Sequence, residues 1–231
     1  MITFQFEDSE DSTSKEDKLS KICGYQEKPV TLQLFQHLNL KTAANYQMED
    51  QNCGITQMLA SLHTLGGGDF SRQVEQISKR AEFHLLKGET RIFLCGGEKN
   101  GDYNNLLNAA RKAVSHGYNV YILPNPKGIR TPDFIFEHKG IYRVYDLKTI
   151  YGKASAGNRL KESIGQTNRI LLNMRCDYKA KILALDIKAY FEASSSALEV
   201  LVIKGHKLIS VNRNMALGKQ FISTFRKLYE R

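Results

Sequence analysis

The 231-residue chain is 42% hydrophobic, with 11 Phe and 11 Tyr, which suits one domain, or one domain with a smaller attachment, built on an apolar core. No apolar run approaches the ~18–20 residues that cross a bilayer, and the opening MITFQFEDSEDS lacks the basic and apolar regions of a secretory signal. These features exclude a helical membrane protein and predict a cytoplasmic location with no membrane partner. The net charge is +9 and unevenly spread: residues 1–18 carry −4, which leaves +13 on the rest. A basic body favours a polyanionic partner, because each phosphate contact releases counterions. Cys23, Cys53, Cys95 and Cys176 form no close pair, so neither a zinc site nor a dithiol redox motif is predicted.

In chain order, the acidic segment 1–18 reads as a flexible tail. Residues 19–90 read as a mostly helical N-terminal region with no assignable role. Within it, 30–40 and 53–65 read as short helices. The glycines at 66–68 break the chain and lack the Lys-Ser or Lys-Thr of a phosphate-binding loop. Residues 71–86 have the spacing of an amphipathic helix, with Val74, Ile77, Ala81 and Leu85 on one stripe and Arg72, Lys79 and Arg80 on a solvated face.

Residues 91–231 alternate more clearly. Strands are predicted over 91–95, 119–123, 134–137, 142–148 and 169–174, and as a hairpin over 198–203 and 207–211. Helices are predicted over 103–115, ended by Gly117, and over 158–164, 177–193 and 214–229. The expected fold class is α/β, a mixed sheet flanked by helices.

The stretch TPDFIFEHKGIYRVYDLKT, residues 131–149, carries the chemistry. Residues two apart on a strand share a face, so Asp146 and Lys148 project together. The His138-Lys139-Gly140 turn folds the preceding strand back and brings Asp133 towards them. Two carboxylates and an ammonium at one sheet edge suit phosphodiester hydrolysis. Carboxylates bind a hard cation such as Mg²⁺ or Mn²⁺, the cation stabilises phosphoryl charge and activates water, and a lysine orients or stabilises beside it. A second Asp-x-Lys, Asp186 and Lys188, lies in a segment read as helix, where residues two apart diverge; it reads as a surface ion pair. His138 and His206 read as exposed turn residues.

Pro132-Asp133, followed after 12 residues by Asp146-Leu147-Lys148, resembles the PD-(D/E)XK phosphodiesterase superfamily. The resemblance covers about 102–211. Within the superfamily it is most similar to the tRNA-cleaving toxin domains of bacterial contact-dependent growth inhibition systems, in GYNVYILPNP, PDFIF, YDLKT, GQTNRILLNM and LEVLVIKGHKLI. It implies a restriction-endonuclease-like core within 91–231. It also implies Asp133 and Asp146 as ligands of Mg²⁺ or Mn²⁺, Lys148 as the catalytic lysine, and Gln166 as a polar support. One feature departs from the pattern. Members place an acid on the helix before the first core strand, where this chain has Asn104 and Asn105; Asp102 is the nearest substitute, either as a third metal ligand or only as a helix cap, and Glu98 is farther off.

The expected function is therefore a metal-dependent endonuclease, with RNA, above all tRNA, slightly favoured over DNA. Lys127, Arg130, Lys153 and Arg159 are the expected contacts with nucleic acid. The rival reading is a non-catalytic nucleic-acid-binding or structural protein of a mobile genetic element that keeps the nuclease fold; the missing helix acid favours it and the three retained core residues oppose it. A third is a delivered toxin or a stand-alone relative of one, with a cognate inhibitor protein as partner. Residues 1–90 resemble no family.

Overall fold

A computed structural model describes residues 54–96, 101–125, 131–153, 155–165 and 167–231. The tail 1–18 and the helix expected over 30–40 lie outside the described residues. Eight strands form one mixed sheet whose spatial order follows the chain: β1 (Phe83–Leu85), β2 (Ile92–Cys95), β3 (Asn119–Ile122), β4 (Phe134–His138), β5 (Ile141–Ile150), β6 (Arg169–Met174), β7 (Glu199–Lys204) and β8 (Lys207–Asn212). Pairs β2/β3, β5/β6 and β6/β7 are parallel and the others antiparallel. The parallel pairs are those joined by helices, as a parallel connection requires. The expected α/β class is what the chain adopts.

The β4–β5 hairpin sets the frame. His138 pairs with Ile141, which leaves Lys139 and Gly140 as a two-residue turn, with φ of 53° and 77°. Two left-handed residues match the twist of the flanking strands. Glu137 Oε1 accepts the Gly140 amide at 2.6 Å and fixes the turn.

Period-two alternation then sorts side chains between the two faces. Phe134, Phe136, Tyr145, Leu171 and Leu201 turn to the face covered by α2 (Tyr103–Ser115). The opposite face has two covers. Residues 54–61, a 3-10 turn at Leu62–Thr64 and α1 (Gly67–Ser78) pack Leu59, Val74 and Ile77 on Ile135 and Val144. The far half lies under α3 (Ala156–Glu162), α4 (Ala180–Ala193), α5 (Arg213–Ala216) and α6 (Phe221–Glu230), against Ile150, Ile170, Leu172 and Val200. Strand β5 contributes Val144 to the first cover and Ile150 to the second, so the seam between them runs over β5.

Two expected helices differ. The stripe read over 71–86 ends at Ser78: the chain turns with Arg80 held by Glu82, and Phe83 enters β1, its ring edge-on to Tyr121 at 5.4 Å. Pairing with β2 outweighs helical spacing, and Leu85 ends 49% exposed rather than buried. Arg72, Lys79 and Arg80 pair with Asp69, Glu75 and Glu82. The helix read over 214–229 is two helices. Asn212 caps the first by accepting the Met215 amide, and the chain then turns at Gly218, where a Cβ would stand 3.2 Å from the Met215 carbonyl oxygen.

Candidate active site

Asp133 lies one residue before β4. Its amide donates to the Tyr145 carbonyl at 3.0 Å, one residue beyond the last pair, Phe134 with Tyr145, and its carboxyl reaches Asp146. Its Oδ2 accepts the Leu147 amide at 2.6 Å. The Asp133 carboxyl lies beside that of Asp146. Burial first, and the Asp146 charge second, push Asp133 up to about 7, against the Leu147 amide and the Lys148 ammonium, which pull it down. Like charges this close resist ionising together in a poorly solvated place.

Lys148, two residues along β5, shares the face of Asp146. Its Nζ stands 2.6 Å from Asp146 Oδ2, and the two side chains are 21% and 17% exposed. That oxygen is otherwise buried without a hydrogen-bond donor. The set thus has two adjacent carboxyls, an acceptor short of donors and an ammonium reaching the same point. A hard divalent cation that keeps several waters suits this donor set. Among the described residues no group of three His, Cys, Asp or Glu side chains gathers as a metal would need, so Asp102 does not join Asp133 and Asp146. Asp102 stands at the N-cap of α2, and its Oδ1 accepts from Asn105 Nδ2 at 3.4 Å. Asn105, where the resemblance expects an acid, accepts a hydrogen bond from the Tyr151 hydroxyl.

A cleft of about 560 Å³ opens at the seam, with Asp146 in its wall. Leu59 and Phe70 come from the N-terminal helical cover, Tyr142 and Val144 from β5, and Thr167 and Asn168 from the loop before β6. Gly165 also lines the cleft; Gln166 lies outside the described residues. Tyr190 is 2% exposed on α4, and burial and then the Asp146 charge push its hydroxyl up to about 12. The sequence held a signal for Tyr142, since Tyr142, Val144, Asp146 and Lys148 alternate on one face. It held none for Phe70, Leu59 or Tyr190, which reach the site only through packing distant in the chain.

Lys153 is exposed in the turn after β5, and Arg159 is exposed on α3 with Glu162 Oε2 at 3.0 Å. Lys127, Arg130 and Glu98 lie outside the described residues. Asp186 is no surface ion pair: its Oδ2 accepts the Tyr178 hydroxyl at 2.9 Å, and it packs so tightly on α3 that a Cβ at Gly157 would come within 2.8 Å of its Oδ1. Lys188 pairs instead with Glu192. Burying one side of α4 against α3 turned a residue expected on the surface into an interhelical one. His138 is half-buried rather than exposed, its Nδ1 at 3.2 Å from the Gly117 carbonyl. Cys95 is buried and Cys176 half-buried, both as free thiols.

No protein-family model and no curated protein matches the chain. Among solved structures it is similar to a chain of the CdiA-CT/CdiI toxin and immunity complex from Burkholderia pseudomallei, at 16% identity and a TM-score of 0.37, over 52% of this chain and 98% of that one.

Proposed function

We propose that this protein is a metal-dependent nuclease of the PD-(D/E)XK type, hydrolysing phosphodiester bonds with RNA favoured over DNA. One observation carries the reading: the carboxyl of Asp133, held by the Leu147 amide, lies beside that of Asp146, with Lys148 on Asp146. Asp133 and Asp146 would hold a single Mg²⁺ or Mn²⁺. When bound, such a cation supplies charge stabilisation at a phosphoryl oxygen and a more acidic water. The Leu147 amide fixes the Asp133 carboxylate, so that its free oxygen has a set direction. Lys148 keeps a positive charge at the edge where the transition state gains negative charge. Lys148 and Asp146 are only 21% and 17% exposed, and this partial burial strengthens each of these interactions. An inhibitor protein that masks the cleft is the partner the resemblance implies.

The test is incubation of the full chain with tRNA, single-stranded DNA and plasmid, each with Mg²⁺, Mn²⁺ or EDTA. Cleavage that needs the metal and is lost in Asp146→Asn supports the proposal. Equal cleavage by parent and Asp146→Asn, under conditions where EDTA stops both, overturns it.

A further inference from the structure

The cleft beside Asp146 has one wall, residues 59–71, from a part of the chain outside the nuclease resemblance. Its volume, about 560 Å³, falls in the ~300–1,000 Å³ range of sites that enclose small molecules. Its lining mixes two partly buried aromatic rings, Phe70 and Tyr142, with polar groups at Thr167, Asn168 and Arg169. Aromatic rings beside hydrogen-bonding groups are how proteins hold unstacked bases, and stacking accepts any base because every base has a π-face. The rest of the chain's charge, +13 outside residues 1–18, suits a polyanion as the ligand.

We infer that this cleft seats the base of one unpaired nucleotide, stacked against Tyr142 or Phe70, while the adjoining phosphodiester lies at Asp133, Asp146 and Lys148. A base paired in a duplex is stacked on both faces and cannot enter a cleft of this size without leaving its helix. The protein therefore selects unpaired segments of nucleic acid. Tyr142 is four residues before Asp146 on the same face of β5, so base and phosphodiester would be positioned by one strand. This inference rests on the nuclease reading for the position of the phosphodiester and on the cleft alone for the base.

The experiment uses the full chain in two forms. Asp146→Asn measures binding by fluorescence of a single-stranded oligonucleotide carrying 2-aminopurine, against the same strand in a full duplex. The parent measures Mg²⁺-dependent cleavage of both. Tyr142→Leu and Phe70→Leu are made in each form; leucine keeps apolar volume at each position and removes the π-face. The inference expects quenching of 2-aminopurine on binding in single strands only. It also expects about tenfold weaker single-strand binding in at least one leucine variant, with thermal stability and duplex binding unchanged. Equal affinity for strand and duplex, or leucine variants that bind single strands like the parent, overturn it. If Asp146→Asn abolishes cleavage while both leucine variants cleave normally, the nuclease reading stands and the base seat falls. If no form cleaves but a leucine variant loses single-strand binding, the seat stands without the nuclease reading.

Discussion

The Leu147 amide donates to Asp133 Oδ2 at 2.6 Å, so the backbone of the strand that carries Asp146 and Lys148 holds the carboxyl of the strand beside it. The spacing of the two motif halves is thereby tied to hairpin register. With Lys139 and Gly140 as the turn, Phe134 pairs with Tyr145, and the Asp133 amide also reaches the Tyr145 carbonyl, which brings its carboxyl to the Leu147 amide. A register slip of one residue would send Asp133 to the other face of the sheet.

Asp146→Asn and Lys148→Ala are expected to lower metal-dependent cleavage by at least about 10²–10³-fold, the usual loss when one charge-stabilising group is removed. Both side chains are only partly buried and neither belongs to an apolar cluster, so the fold should persist, as judged by circular dichroism. Asp146→Asn should retain nucleic-acid binding or strengthen it, since a negative charge near phosphate is lost. Full cleavage by Lys148→Ala would remove the lysine from the mechanism.

How far the site was readable follows from the range of its contacts. Asp133, Asp146 and Lys148 were legible because 16 residues of one hairpin fix them, and alternation and turn chemistry are local rules. The wall over 54–78 was not. Val74 and Ile77 do carry the helical stripe, but nothing in a stripe names the strand it will cover. The break after Ser78 was equally hidden, because the pairing that draws Phe83 into β1 is with Cys95, twelve residues on. Asp186 escaped for a third reason. The glycine that admits it, Gly157, sits on another helix, and only the packing of α3 on α4 brings them together.

Asp133→Asn should stabilise the metal-free protein at neutral and alkaline pH. The folded-state value is raised, to about 7, above the ordinary carboxylate range. Stability linked to this group is therefore fully present below pH ~4 and lost as pH rises through about 7. Asparagine cannot ionise and escapes that loss. In EDTA, the gain should be present at pH 8 and should vanish near pH 4, as read from urea unfolding at both values. Equal gains at both pH values would mean that packing, not charge, is responsible. The same variant should lose metal-dependent cleavage, so stability and activity move in opposite directions.

Binding to nucleic acid should fall linearly in log affinity with log salt, because the charge outside residues 1–18 is +13. Deleting residues 1–18 removes a net −4 and should tighten binding at low salt, with the difference shrinking at high salt as screening grows. Filter binding over a salt series measures both. A flat salt response would assign the basic balance to solubility alone.

The two Asp-x-Lys pairs should separate activity from stability. Asp186 accepts from Tyr178, which is 2% exposed, and lies against Gly157. Asp186→Ala leaves the Tyr178 hydroxyl without its acceptor, at a cost of roughly 1–3 kcal/mol. Asp186→Asn keeps an acceptor oxygen in place and should cost less, though an amide in that tight contact with Gly157 is not free. Burial first, and then Asp186, push the Tyr178 hydroxyl up to about 12. Stability linked to Tyr178 is therefore present below pH ~10 and lost as pH rises through about 12, so the parent should show an alkaline loss that Asp186→Ala reduces. Neither Asp186 variant should alter cleavage below its melting temperature, whereas Asp146→Asn should abolish cleavage with little change in melting. Chemical denaturation and cleavage assays on the three variants decide the matter. A folded Asp186→Asn protein without activity would move the active site to α4 and remove Asp133, Asp146 and Lys148 from the chemistry.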